Sequence, residues 1–477
     1  MNAANNSEAA RFSSPLSPIA AAMVPHPPLI IPQIGRGMEQ QISATVQAYH
    51  QAMRRIAAEK PDTVIVLSPH SVMYADYFHI SPGSGAEGSF RQFHAPQVRL
   101  RASYDTEFVS QLCRTADKVN IPAGPLGERD KQLDHGTMIP LWFLNRFYTD
   151  YRIVRIGLSG LSFSQHYRLG QCIRETAQRL GRKIAVIGSG DLSHKLSPEA
   201  PYGFKEEGPE YDRRIMDVMG TGDFGRLFDF SEDFCEKAAE CGHRSFLIMA
   251  GVLDSLRVQA ERLSYEGPFG VGYGVCVYRA EGPAMERNFL EQYEAGIRRE
   301  AGYRRQNEDA FVRLARQTVE AYVRTGGRPP IPEGLPEEMY TEQAGVFVSL
   351  KKEGRLRGCI GTISPVTGSI AEEIIENAVS ASARDPRFPA VSPQELDHLV
   401  YSVDVLGKPE EISSPKELDV TRYGVIVTKG HRRGLLLPNL EGVDSVDDQI
   451  SIAKRKAGIP ESARDVRLER FEVVRHF

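Results

Sequence analysis

The chain has 477 residues, with 58 Lys+Arg against 62 Asp+Glu and a formal net charge of -4. That balance argues against a protein built to coat nucleic acid or an acidic membrane surface. No apolar run reaches the roughly 18 residues needed to cross a bilayer, so no membrane span is expected. At 41% hydrophobic and 25% charged the composition is that of a globular protein, and the length calls for two domains, or three, rather than one.

Residues 1–18 are mostly Ala, Asn, Ser and Pro with a single Arg. They lack the basic and apolar regions of a signal peptide and read as a disordered tail. The six cysteines, at 113, 172, 235, 241, 276 and 359, form no Cys-x-x-Cys pair. They are too sparse for a disulfide scaffold and point to a reducing cytoplasm.

From residue 19 to about 280, short apolar runs alternate with stretches of helical periodicity. Strands are predicted at Ile19–Val24, Thr63–Leu67, Arg152–Leu158 and Lys183–Gly188, with helices at Met38–Glu59 and Gln165–Leu180. Such alternation predicts an α/β domain with a mainly parallel sheet flanked by helices. Phe246–Leu256 reads as a buried helix and Gly270–Arg279 as a closing strand. Residues 281–304 are rich in Glu and Arg and read as a polar, partly helical linker.

Beyond it, residues 305–477 read as an α+β domain. Asn307–Thr325 is a predicted helix, and four prolines between Arg328 and Pro336 preclude regular structure. Gly345–Leu350 and Leu356–Ile363 flank a turn at Lys352–Gly354. Ser369–Ser382 and Ser445–Ala457 read as helices, His398–Leu406 and Tyr423–Lys429 as strands.

Nine of the twelve histidines precede residue 245, which places histidine chemistry in the first domain. Two predicted strands end alike, in Pro25-His26 and Pro69-His70, and a third runs into Ser189-Gly190-Asp191-Leu192-Ser193-His194. Ligands of parallel sheets bind beyond the carboxyl ends of the strands, where these histidines fall. His135 precedes an apolar helix that holds Trp142, the sole tryptophan. Any one of the four can be a satisfied structural histidine, but their recurrence at strand ends points to a metal. Neutral imidazole is the commonest ligand for zinc, iron and copper, and two histidines with one carboxylate form the facial triad of non-haem Fe(II) oxygenases. Ala238-Ala239-Glu240-Cys241-Gly242-His243 offers Glu240 as the carboxylate, with Cys241 and His243 as competing ligands.

In the order and spacing of His26-Pro27, Ser68-Pro69-His70-Ser71, Leu133-Asp134-His135-Gly136-Thr137, Gly190-Asp191-Leu192-Ser193-His194 and Glu240-Cys241-Gly242, residues 19–280 resemble the class III extradiol ring-cleavage dioxygenases, a superfamily that includes the LigB-like and MEMO proteins. The resemblance implies Fe(II) held by His26, His70 and Glu240, with His194 as acid/base residue and His135 lining the substrate pocket. The implied reaction is extradiol cleavage of a catechol-like small molecule by O₂. MEMO-type proteins use a cysteine near this third position. Cys241 is therefore the alternative ligand, and it would shift the site toward zinc or copper.

Leu356-Arg357-Gly358-Cys359-Ile360-Gly361-Thr362, Arg384-Asp385-Pro386-Arg387-Phe388-Pro389 and Gly434-Leu435-Leu436-Leu437-Pro438 resemble the AMMECR family. Cys359 is expected to be a packed structural thiol, with Leu356 and Ile360 as apolar neighbours. A thiolate activated by Arg357 is the alternative. Arg384, Asp385 and Arg387 form either a salt-bridged turn or an anion- or partner-binding surface. Chains with both resemblances are grouped with a radical SAM protein in the AmmeMemoRadiSam system. No Cys-x-x-x-Cys-x-x-Cys occurs here, so a radical SAM partner would be a separate chain. The alternative to an enzyme is a non-catalytic metal-binding scaffold whose AMMECR domain recruits that partner. A homo-oligomer is compatible with either.

Overall fold

The computed structural model describes residues 19–127, 132–440 and 442–477. The expected tail, residues 1–18, lies outside them. The chain divides into two compact units, the first ending at Tyr293 and the second beginning at Glu294.

In the first unit the elements that matter for the site are β1 (Ala20–Val24), α1 (Ser43–Ala58), β2 (Thr63–Ser68), α2 (His135–Leu144), β3 (Arg152–Gly157), α3 (Phe163–Leu180), β4 (Ile184–Ser189), α4 (Glu207–Thr221), α5 (Glu232–Ala238), α6 (His243–Val252), β5 (Leu256–Glu266) and β6 (Tyr273–Pro283). The sheet order is β3-β2-β4-β1-β6-β5. The first four strands are parallel, and β6 and β5 are added antiparallel. The apolar runs are continuous because both faces are covered. Ala21, Met23, Ile65, Leu67 and Val186 enter one core, while Ala20, Ala22, Val64, Val66 and Ile187 enter the other.

β4 lies between β2 and β1. The carboxyl ends of these three neighbours, Ser68, Ser189 and Val24, therefore lie side by side. Strand β5 is absent from the sequence-based expectation: Leu256–Glu266 is largely polar and sits at the sheet edge. A hairpin of Gly85–Phe90 and Ala95–Ser103 was equally hidden, in a Gly- and Ser-rich stretch. The segment read as a polar, partly helical linker, 281–304, finishes β6 and then forms most of a helix, α7 (Phe289–Asn307). Phe289, Leu290 and Tyr293 of α7 pack on the first unit's core.

The second unit contains α8 (Ala310–Thr325), β7 (Val346–Lys352), β8 (Arg355–Gly361), α9 (Ile370–Ala383), β9 (Leu399–Leu406), β10 (Glu410–Ile412), β11 (Gly424–Lys429), β12 (Arg432–Leu436), α10 (Val446–Lys456), β13 (Arg467–Phe471) and β14 (Val473–His476). Two antiparallel sheets, β8-β7-β9-β14 and β10-β13-β11-β12, make it α+β. Among the described residues, no helix is long and apolar enough to cross a membrane.

Helices α3 and α6 cross so closely that a Cβ at Gly251 would strike the carbonyl oxygen of Tyr167, and one at Gly170 that of Ile248. Gly251→Ala should destabilise the first unit by roughly 1–3 kcal/mol, the usual cost of overpacking. Urea unfolding followed by tryptophan fluorescence measures this, and an unchanged midpoint would contradict the close crossing.

Candidate metal centre

Three of the four strand-end histidines meet at one place. His26 follows β1, His70 follows β2, and His135 opens α2. Ring centroids are 4.7 Å apart for His26 and His70, 4.1 Å for His70 and His135, and 5.4 Å for His26 and His135. Among the described residues, His26, His70 and Cys241 form a group whose ligand atoms all lie within 4.8 Å of one another. His26 is buried, Cys241 half-buried and His70 exposed, so the cluster has a closed back and an open front.

Hydrogen bonding sets the chemistry of His26. The Ser189 hydroxyl donates its one proton to the carbonyl of Gly136 (2.7 Å). Its oxygen must therefore accept from Nδ1–H of His26, 3.0 Å away. That leaves a lone pair on Nε2, which faces Nε2 of His70 at 2.9 Å and Sγ of Cys241 at 3.6 Å. A proton or a cation between the two imidazoles satisfies this arrangement. The backbone N–H of His26 donates to Asp191 (2.7 Å).

Burial holds His26 well below the ordinary histidine range, and the neighbouring His70 adds to this. His70 is lowered by burial too, opposed by Asp134 and Asp191. His135 is pushed down to about 3 by burial and by His70 and His26. All three rings are thus neutral, the form that binds metals. Burial raises the Cys241 thiol well above its usual range, with Asp191 and Glu240 nearby.

Cys241, the alternative ligand, rather than the preferred Glu240, stands as the third member of the cluster. The Glu240 carboxylate turns the other way and accepts the backbone N–H of His243 at 2.5 Å, at the start of α6. Its pKa is raised to about 7 by burial. Cys241 is brought in by backbone contact: a Cβ on Gly190 would strike Cα of Gly242, so only glycines allow these segments to touch. The Asp191 N–H then donates to Cys241 Sγ (3.3 Å). His243, the other competing ligand, is buried elsewhere and bonds the Leu227 carbonyl (3.1 Å).

His194 stands beside the cluster, close enough to bias the titration of His26, His70 and Asp191. Its Nδ1–H donates to the Ala239 carbonyl (2.7 Å), which places the lone pair of the neutral ring on Nε2. His70 and His135 line a cleft of about 950 Å³, shared with Glu87, Arg91 and Arg99 of the hairpin region. The cleft wall was illegible in the sequence because the hairpin was. Asp134 caps α2, accepting from Thr137 N–H (2.9 Å) and from Ser68 (2.6 Å). Burial alone would raise Asp134, but these bonds and the Arg155 charge hold it below the ordinary range.

In the second unit the expected residues separate into two sets. Arg357 is committed to Glu395 through two bonds (2.8 and 3.0 Å). Arg387 pairs with Asp385 (2.6 Å) and also donates to the Cys359 carbonyl, while Arg384 pairs with Glu376 (3.3 Å). Asp385 accepts the Cys359 N–H (2.9 Å) and is pulled down to about 2 by Arg387. The turn is salt-bridged and clamps the backbone of Cys359. The thiol is half-buried and accepts from Ser349 (3.2 Å). Leu356, expected to pack, is 40% exposed.

Residues 20–276 match the family described as the catalytic LigB subunit of aromatic ring-opening dioxygenase, and residues 312–476 match the AMMECR1 family. A protein of Clostridium acetobutylicum is 40% identical over 463 residues, covering 95% of this chain and 98% of that one. A Thermotoga maritima protein is 52% identical over 170 residues, covering 35% of this chain and 98% of that one. The solved structure of protein PH0010 from Pyrococcus horikoshii is 35% identical, covering 35% of this chain and 89% of that one, with a TM-score of 0.34. The chain belongs to the LigB family, with an AMMECR1 domain fused behind the dioxygenase-like domain.

Two outcomes test the centre. Cys241→Ala should weaken metal binding, and Ser189→Ala should weaken it by about 10–100-fold through loss of the fixed tautomer. Glu240→Gln should leave it nearly intact. Competition with a chelator measures all three, and a reversed order would restore Glu240 as the ligand.

The second outcome is a pH dependence. His135 titrates at about 3 when folded and near its ordinary 6.5 when unfolded, so the unfolded chain binds the extra proton and folding is disfavoured as pH falls below about 6.5. His135→Gln removes that term. Its melting temperature should fall less than the wild type's between about pH 7 and pH 5, and parallel curves would show the ring is not buried neutral.

Proposed function

We propose that the first unit holds one ferrous ion through His26, His70 and Cys241 and cleaves a catechol-like small molecule with O₂ by extradiol chemistry. The observation that carries this reading is the convergence of three donor atoms at the carboxyl edge of the sheet of a LigB-family domain. The lone pair of His26 is held toward them by Ser189 and Gly136. The donor set fits a divalent cation: neutral imidazole nitrogens and a thiol face one another at short range with an open side.

When bound, such an ion supplies Lewis acidity to a catechol and an electron path between it and O₂. The chain's own residues do the rest. His194, with Nδ1 tied to Ala239, presents Nε2 to take a proton from a substrate hydroxyl and later return it. His135 stays neutral and lines the cleft without adding charge. Arg91 and Arg99 place positive charge in the same cleft. The six unpaired cysteines support a reducing, cytoplasmic setting.

A second reading rests on Cys241. A thiol is a softer donor than a carboxylate and favours zinc or copper. In that reading the cluster is a non-catalytic metal site, and the AMMECR1 domain recruits a radical SAM partner.

Anaerobic Fe(II) reconstitution followed by O₂ uptake with a panel of catechols separates the two. Stoichiometric iron and catechol-dependent uptake are expected. His194→Ala should keep the metal and lose about 10²–10⁴-fold in rate. Retention of zinc or copper with no uptake on any catechol would establish the scaffold reading instead.

A further inference from the structure

We infer that a hollow between α1 and the turn after α2 binds a small phosphate-type oxyanion through Arg54 and Arg146. The hollow measures about 740 Å³ and is lined by Gln47, His50, Gln51 and Arg54 of α1 together with Arg146 and Phe147. The four α1 residues recur at helical spacing on the face opposite its buried side, which carries Ala48, Tyr49, Ala52, Met53 and Ile56.

No lining residue is acidic, and two are permanently cationic. Both guanidiniums are held by aromatic faces. Arg146 stacks on Trp142, with Cζ 3.7 Å from the ring centroid, and Arg54 lies over Phe147 at 5.1 Å. Stacking occupies the flat face of a guanidinium and leaves its N–H edge available for an oxyanion in the plane. Among the described residues, neither meets a carboxylate. The adjacent Arg55, by contrast, pairs with Glu261 at 2.6 Å.

His50 completes the picture. Its ring stands edge-on to Phe147 at 6.0 Å. Burial lowers its pKa first, and the charges of Arg146 and Arg54 lower it further. Burial likewise lowers Arg146. Positive charge is thus concentrated and uncompensated. Two forks at one hollow suit a tetrahedral dianion, which offers several oxygens, better than a single carboxylate. Free phosphate and a phosphate monoester share this chemistry.

The test uses the full-length protein at low ionic strength. Inorganic phosphate and phenyl phosphate are titrated separately by calorimetry and by NMR of the His50 ring, with sodium chloride of equal ionic strength as control. Saturable binding is expected, with the His50 titration midpoint moving upward because a bound dianion reverses the sign of its surroundings. Tighter binding of phenyl phosphate would identify a phosphorylated aromatic compound, and equal binding would identify free phosphate. An Arg54→Gln, Arg146→Gln double variant should bind at least about tenfold more weakly, as charge-assisted bonds are lost. Phe147→Leu should weaken binding less, by releasing Arg54. Phosphate binding that leaves His50 unmoved, or that survives the double variant, would overturn the proposal. So would a short single-stranded RNA that binds these residues far more tightly than either phosphate compound.

Discussion

The contact between Gly190 and Gly242 sets which side chains meet at the sheet edge. One segment leaves β4, the other precedes α6, and neither tolerates a Cβ where they touch. Because the backbones come this close, the Asp191 N–H reaches the Cys241 sulfur, and that sulfur is aimed at His26. The same geometry turns the neighbouring carboxylate of Glu240 into the first turn of α6. One residue of register thus separates the thiol that faces His26 from the carboxylate that does not, and backbone packing sets that register.

Around that contact burial holds the histidines neutral against the pull of Asp134 and Asp191. Burial opposes protonation of all three, reinforced at His26 by His70, at His135 by His70 and His26, and at His70 by His194. The serine and carbonyl behind His26 fix which nitrogen carries the proton. The carbonyl of Ala239 does the same for His194. These are orienting bonds behind the donor atoms, the layer on which metal affinity and proton transfer both depend.

The second unit uses its charges differently. Arg357, Asp385 and Arg387 are engaged in ion pairs at β8 and at the turn after α9. Arg54 and Arg146 of the first unit form the opposite case, cations over aromatic rings with no carboxylate partner among the described residues. Paired arginines hold structure in place, whereas stacked, unpaired ones leave binding capacity.

Much of the first domain was legible in the chain. Continuous apolar runs such as Thr63–Leu67 announced buried parallel strands, and Pro-His at two strand ends placed His26 and His70 at the site. These signals are local: period, composition and position relative to a strand end. The polar edge strand Leu256–Glu266 and the hairpin at Gly85–Phe90 and Ala95–Ser103 carried no such signal, because their partners in the sheet, not their own composition, make them strands. Local pattern was enough for the parallel sheet, the histidines at its edge and the resemblance to both families. That Cys241 rather than Glu240 faces His26, that Arg357 is paired, and which arginines share a hollow emerge only from the folded chain. Each of those depends on a contact between residues far apart in the chain, which no local pattern encodes.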